Sequence, residues 1–231
     1  MIIAGLQKMT LLDFPGRVAC TIFLQGCNFR CPFCHNSDLL ERQGNGTIPV
    51  EELLSFLRKR QGLLDGVCIT GGEPTLQPDL EDFVRQIKAL GYPVKLDTNG
   101  SRPEVLKRLI EENLLDYVAM DIKNSPEEYP STAGIKKLDG VEESIRFLMT
   151  GSLDYEFRTT VVRELHSVES LRSMANWLLN LAPEHRVKRF FLQSYVDRDS
   201  VLMPGLSAPE EKMLTEYADI LRICAENVSI R

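Results

Sequence analysis

Short apolar, β-branched runs recur along the 231-residue chain at Val18–Leu24, Gly66–Thr70, Val94–Thr98, Tyr117–Lys123, Tyr155–Val162 and Val187–Tyr195. Each has the length of a strand. Between them, apolar residues fall at helical spacing over about Val50–Arg60, Asp79–Leu90, Glu104–Asn113, Val141–Met149 and Ser170–Leu181, with a last such stretch at Pro209–Cys224. Asp139 with Glu142, and Ser207 with Glu210, have capping-box spacing. Pro49, Pro78, Pro103 and Pro209 stand where a first helical turn tolerates a missing N–H. Six β-α units in a row imply a parallel sheet, either open and doubly wound or a full or partial barrel. No Gly/Ser- or Pro-rich linker breaks the alternation. The expected organisation is one α/β domain over residues 1–231: a lead-in (1–17), six β-α units (18–195), and a C-terminal loop and helix (196–231).

Charge narrows the function classes. A formal net charge of -6 and the lack of any long Lys/Arg run argue against a nucleic-acid binder. The start lacks the basic-then-apolar pattern of a signal peptide, and Val18–Leu24 is too short to span a bilayer. The expectation is a soluble cytoplasmic protein with no membrane attachment. Of six cysteines, three lie within eight residues, whereas Cys20, Cys68 and Cys224 sit in apolar segments and read as small core residues. In a cytoplasmic protein, clustered thiols read as metal ligands or redox groups before disulfides.

The segment Gly26-Cys27-Asn28-Phe29-Arg30-Cys31-Pro32-Phe33-Cys34-His35-Asn36 follows the first of these predicted strands, at the end where α/β folds place their chemistry. Its C-x₃-C-x₂-C spacing gathers three thiolates in one loop. Cubanes held by protein alone use four cysteines, so three leave one iron open to an external ligand. The alternatives are a Cys₃His zinc site using His35, and plain buried cysteines.

This loop, with an aromatic before its last cysteine, resembles the radical S-adenosylmethionine (SAM) superfamily. The resemblance implies a partial (β/α)₆ TIM-like barrel. It implies a [4Fe-4S] cluster on Cys27, Cys31 and Cys34 whose open iron is chelated by the amino and carboxylate groups of SAM, with Phe33 beside the adenine. The reduced cluster would then cleave SAM to methionine and a 5′-deoxyadenosyl radical. Gly71-Gly72-Glu73-Pro74, at the end of the next strand, resembles the family segment that binds the methionyl amino group. On residue grounds alone its paired glycines signal only a tight turn or a close approach of backbone.

Later strand ends carry polar groups too. In Met120-Asp121-Ile122-Lys123, alternation sets Asp121 and Lys123 on one face. Two charges on the interior side of a covered strand need a purpose or a partner; the plain alternative is an Asp–Lys pair at a strand end. Asp97-Thr98-Asn99-Gly100 and Met120–Lys123 resemble segments of the pyruvate formate-lyase activating enzyme. There the matching groups coordinate a monovalent cation, Na or K, that touches the SAM carboxylate. The resemblance therefore implies Asp97, Thr98, Met120 and Asp121 as cation ligands, with Lys123 facing the cofactor or the incoming peptide. Gln193 and Tyr195 share a face by alternation, Arg158 also points inward, and the family places such groups near the cofactor ribose. This sequence has Tyr195 where those activases carry a histidine. His166 and His185 fall in or beside helices and read as solvated or capping groups.

Cys34-His35-Asn36, Asp97–Gly100 and the Asp121/Lys123 pair resemble the glycyl-radical activating branch. The lead-in Gly5-Leu6-Gln7-Lys8-Met9-Thr10-Leu11-Leu12-Asp13-Phe14-Pro15-Gly16 and the chain length resemble anaerobic ribonucleoside-triphosphate reductase activating proteins. The implied partners are a large glycyl radical enzyme as substrate and a flavodoxin- or ferredoxin-type electron donor. The short connection from Cys34 to the next strand excludes activases with a ferredoxin-like insertion. A radical SAM enzyme acting on a small molecule, like 7-carboxy-7-deazaguanine synthase, is the competing reading, with a pyruvate formate-lyase activase as a variant of the first.

Overall fold

The computed structural model describes residues 1–41, 47–198 and 200–231. Its eight strands are β1 (Ile3–Thr10), β2 (Ala19–Leu24), β3 (Gly66–Gly71), β4 (Val94–Thr98), β5 (Tyr117–Asp121), β6 (Tyr155–Val161), β7 (Val187–Ser194) and β8 (Ala225–Ile230). They follow one another in chain order across one mostly parallel sheet. The helices are α1 (Val50–Lys59), α2 (Leu80–Ala89), α3 (Pro103–Glu111), α4 (Tyr129–Ala133), α5 (Asp139–Thr150), α6 (Val168–Leu181) and α7 (Glu211–Leu221). The described residues form two compact units. One is Met1–Asn28, Asp38–Thr98 and Glu104–Val118; the other is Phe29–Ser37, Asn99–Pro103 and Ala119–Arg231.

In the first unit β2 pairs parallel with β3, and β3 with β4. Near-continuous burial of Ala19, Cys20, Ile22, Leu24, Val67, Cys68 and Ile69 is what a strand covered on both faces requires. Amphipathic helices supply the cover: α1 buries Leu53, Leu54 and Leu57, and α2 buries Leu80, Phe83, Val84 and Ile87. Both sets have i, i+3, i+4 spacing. The lead-in contains a strand that periodicity does not reveal. β1 runs antiparallel to β2 with two register shifts, and its Gly5, Gln7 and Lys8 hide any alternation.

In the second unit β6, β7 and β8 are parallel neighbours. β8 lies in what reads as a C-terminal tail because most of its residues are exposed, so it lacks the apolar signature of a buried strand. α6 buries Leu171, Met174, Ala175 and Leu178. Its N-terminus carries a reciprocal cap, Ser167 Oγ accepting from Ser170 N and Ser170 Oγ from Ser167 N.

The two capping boxes expected from sequence do not form. Glu142 accepts from the Trp177 indole instead, and Ser207 turns its N–H and hydroxyl to Glu164. Of the four prolines, Pro103 is the one that opens its helix. β5 ends at Asp121 rather than Lys123, because the Lys123 N–H leaves the ladder for the Tyr129 hydroxyl at 3.1 Å. Among the described residues, no helix is long and apolar enough to cross a membrane.

Candidate active site

The first unit brings the Gly71–Pro74 turn onto the start of the cysteine loop. Gly72 N–H donates to Leu24 O at 2.9 Å, Glu73 N–H to Gly26 O at 2.7 Å, and the Gln77 amide to Gln25 O at 2.6 Å. Gly71 has φ +125°, and a Cβ there would collide with the Leu24 backbone; a Cβ on Gly72 would collide with the Gly26 carbonyl and lie 3.2 Å from Cys27 N. Here the glycines are required by close approach of backbone, the second of their two sequence readings. The fully buried Glu73 carboxylate accepts from Thr75 N at 3.1 Å, from the Thr75 hydroxyl, and from Thr98 Oγ1 at 2.7 Å. It thus ties the end of β3 to the end of β4. Cys27 is part-buried, and its N–H donates to Leu40 O at 3.2 Å. Gly72→Ala is therefore expected to displace the Gly26–Cys27 backbone. Cluster content after anaerobic reconstitution should fall severalfold, with a lower thermal midpoint beside it; a fully loaded Gly72→Ala protein of wild-type stability would contradict this.

The second unit holds the other two cysteines. Cys34 N–H donates to Cys31 O at 3.1 Å, Arg30 N–H to Ala133 O at 2.9 Å, and Met203 N–H to Pro32 O at 3.0 Å. Phe29, Cys31 and Phe33 are buried. His35 stacks on the Tyr195 ring, with centroids 5.6 Å apart, and its Nε2 lies 2.7 Å from Val196 O. That commitment draws the ring toward Val196 and weakens the Cys₃His reading.

Asp121 and Lys123 share a face, as alternation predicts. Arg158 Nε donates to Asp121 Oδ1 at 2.9 Å and Lys123 Nζ to Oδ2 at 3.0 Å. Burial alone would raise the Asp121 carboxyl, but the Arg158 and Lys123 cations override it and hold it down to about 2. Burial would likewise lower Lys123, yet Asp121 and the neighbouring Cys31 and Cys34 thiols drive it upward, so it stays protonated.

Residues that sequence reading passed over fix Lys123. Its N–H meets the Tyr129 hydroxyl, and its carbonyl lies 3.0 Å from His166 Nε2. His166 is buried rather than solvated, and burial lowers its pKa. His185 is exposed as expected. Met120 is buried with its side chain under Gly100. Gln193 is part-exposed, while Tyr195 is buried and donates to Asp197 at 2.9 Å.

Cys20, Cys68 and Cys224 are buried; burial pushes the Cys20 and Cys224 thiols up to about 12, so they behave as inert core residues. None of the six cysteines forms a disulfide. Among the described residues, no three His, Cys, Asp or Glu side chains converge as on a single ion; the cysteines of a cubane each bind a different iron. Each within its own unit, Cys27 lies under a tight Gly-Gly turn, and Cys31 and Cys34 lie near the Lys123 ammonium; three thiols at C-x₃-C-x₂-C spacing are a donor set that an iron–sulfur cluster takes.

Comparison with known proteins agrees with this geometry. The family model described as the radical SAM superfamily matches residues 21–170. A protein of Methanocaldococcus jannaschii that carries a glycyl-radical enzyme activating enzyme name is 32% identical, covering 100% of this chain and 95% of its own. The pyruvate formate-lyase-activating enzyme of Clostridium pasteurianum is 30% identical over 80% of this chain and 79% of its own. A crystallised domain of such an enzyme from Bacteroides vulgatus superposes with TM-score 0.57 at 20% identity, covering 72% of this chain and 98% of that domain, a likeness of fold.

Proposed function

Because the chain belongs to the radical SAM superfamily, and within it to the glycyl-radical-enzyme activating enzymes, we propose that it takes a hydrogen atom from one glycine Cα of anaerobic ribonucleoside-triphosphate reductase. When bound, the cluster and SAM supply the one-electron cleavage of the sulfonium that yields methionine and a 5′-deoxyadenosyl radical. Cys27, Cys31 and Cys34 hold three irons, and the backbone of Gly71–Pro74 receives the amino group. Lys123 and Arg158, set by Asp121, meet the carboxylate. Phe33 lines the adenine side, and Gln193 is the polar group for the ribose. Tyr195, its hydroxyl already on Asp197, acts through His35. The observation that carries this reading is the approach of Gly72 to the Gly26–Cys27 backbone, since one ligand must reach both the open iron and the Gly-Gly turn.

A reduced flavodoxin or ferredoxin would supply the electron, and the cytoplasm keeps clustered thiols reduced. A second reading has one support: a relative named for activating pyruvate formate-lyase covers most of this chain. The test is anaerobic incubation of reconstituted protein, SAM and dithionite with each partner in turn, followed by electron paramagnetic resonance. A glycyl-radical signal is expected with the reductase and is expected to vanish when the partner's radical glycine is replaced by alanine. A signal with pyruvate formate-lyase alone would move the assignment to that partner. No signal with either, together with SAM cleavage stimulated by a small molecule, would defeat the activase reading.

A further inference from the structure

Lys95 is 1% exposed. It stands two residues before Asp97 on β4, and so on the same face, one row deeper in the sheet. Cys68 on β3 is its partner in register, with Sγ 3.8 Å from Lys95 Nζ. From this interior row the lysine reaches up to the Asp97 carboxylate and forms an ion pair with it. An apolar residue at such a position is usually neutral or better for stability, because desolvating an ammonium offsets what pairing returns. A lysine kept there is explained by what its charge does for Asp97, which lies part-exposed near the strand's C-terminal end.

Asp97 and Asp121 are the two carboxylates that the family resemblance would give to an inorganic monovalent cation. In this chain neither is left to such an ion. Asp97 faces Lys95, and Asp121 faces Lys123 and Arg158. Asp97, paired from within its own strand, does not fit a site whose charge must come from outside.

We propose that Lys95 is a built-in cation: its ammonium holds and neutralises Asp97, so the protein binds SAM without Na or K. Lys95 is on this view a positioning residue, acting on the cofactor through Asp97. The inference rests on the radical SAM reading.

The test is SAM binding to the cluster-loaded protein, followed by titration calorimetry and by the change SAM makes in the reduced cluster's paramagnetic signal. It is run in potassium, sodium and bulky tetramethylammonium salts at equal ionic strength. Wild-type affinity is expected to be the same in all three. Lys95→Met keeps the length and removes the charge; its affinity should fall about tenfold or more in tetramethylammonium and recover in part with potassium or sodium. That rescue is something a merely structural lysine would not show. Lys95→Met/Asp97→Asn, with no carboxylate to neutralise, should show no rescue, and it also serves if the single variant folds poorly.

A wild type that needs potassium or sodium would overturn the proposal, as would a Lys95→Met protein that binds as tightly as wild type in every salt. Failure of the underlying reading looks different, since SAM would then leave the cluster signal unchanged in all three salts.

Discussion

Cys31→Ala is expected to leave a folded protein that neither retains a [4Fe-4S] cluster nor cleaves SAM above a protein-free blank. A cubane on three cysteines already has one iron without a protein ligand, so losing Cys31 leaves only Cys27 and Cys34 to hold it. The control is Cys20→Ala. That thiol is buried in β2 and pushed up to about 12, and its loss should cost stability on the order of 1 kcal/mol while cluster and cleavage persist. Iron and sulfide content, the cluster's paramagnetic signal and methionine release check the pair. Cleavage surviving in Cys31→Ala would remove that residue from the ligand set.

The second large effect is expected at Asp121. Asp121→Asn leaves Lys123 and Arg158, both little exposed, without their shared counter-charge. Breaking a buried pair by removing one partner costs more than the pair contributes; since Asp121 keeps part of its water, about 2 kcal/mol is expected rather than the fully buried range. The urea midpoint should fall with little change in slope. SAM binding should weaken with it, because both cations would turn from their present positions. The pH signature is specific. The folded-state pKa of Asp121 is depressed from 3.8 to about 2, so its stabilising contribution is fully present above 3.8 and is lost as pH falls from there through about 2. Asp121→Asn should abolish that part of the acid sensitivity while leaving it weaker than wild type at pH 7. Identical acid unfolding profiles for the two proteins would mean that the ion pairs do not stabilise the fold.

Six strands and six helices could be read from the sequence to within about three residues, the strands as continuous apolar runs and the helices as periodic apolar faces. β1 and β8 could not, for opposite reasons. β1 is broken by glycine and register shifts, and β8 is an exposed edge whose Glu226, Asn227 and Ser229 look like loop. The cysteines and the Gly71–Gly72 turn were legible as motifs, since spacing and glycine pairs are local. Lys95 was not: a single lysine between Val94 and Leu96 has no spacing to betray it, and its role depends on a strand neighbour and on burial. His166 misled because its sequence setting beside a helix says nothing about the Lys123 carbonyl it meets. Capping boxes failed where longer-range partners, Trp177 and Glu164, took the polar groups.

The cysteine loop is fastened by groups that need no iron. Gly26 and Cys27 N–H groups hold the carbonyls of Leu39 and Leu40; Arg30 is tied to Ala133, Pro32 to Met203, and the His35 carbonyl to the Ser200 hydroxyl. In a zinc finger the metal must order its own ligands, so part of the binding free energy is consumed in folding. Here the backbone around the thiols is already fixed, and taking up metal removes little chain entropy. Chelation should therefore strip the cluster without unfolding the chain. Each half of the emptied loop is expected to keep its own backbone hydrogen bonds, so iron and sulfide added after chelation should restore the cluster without a refolding step.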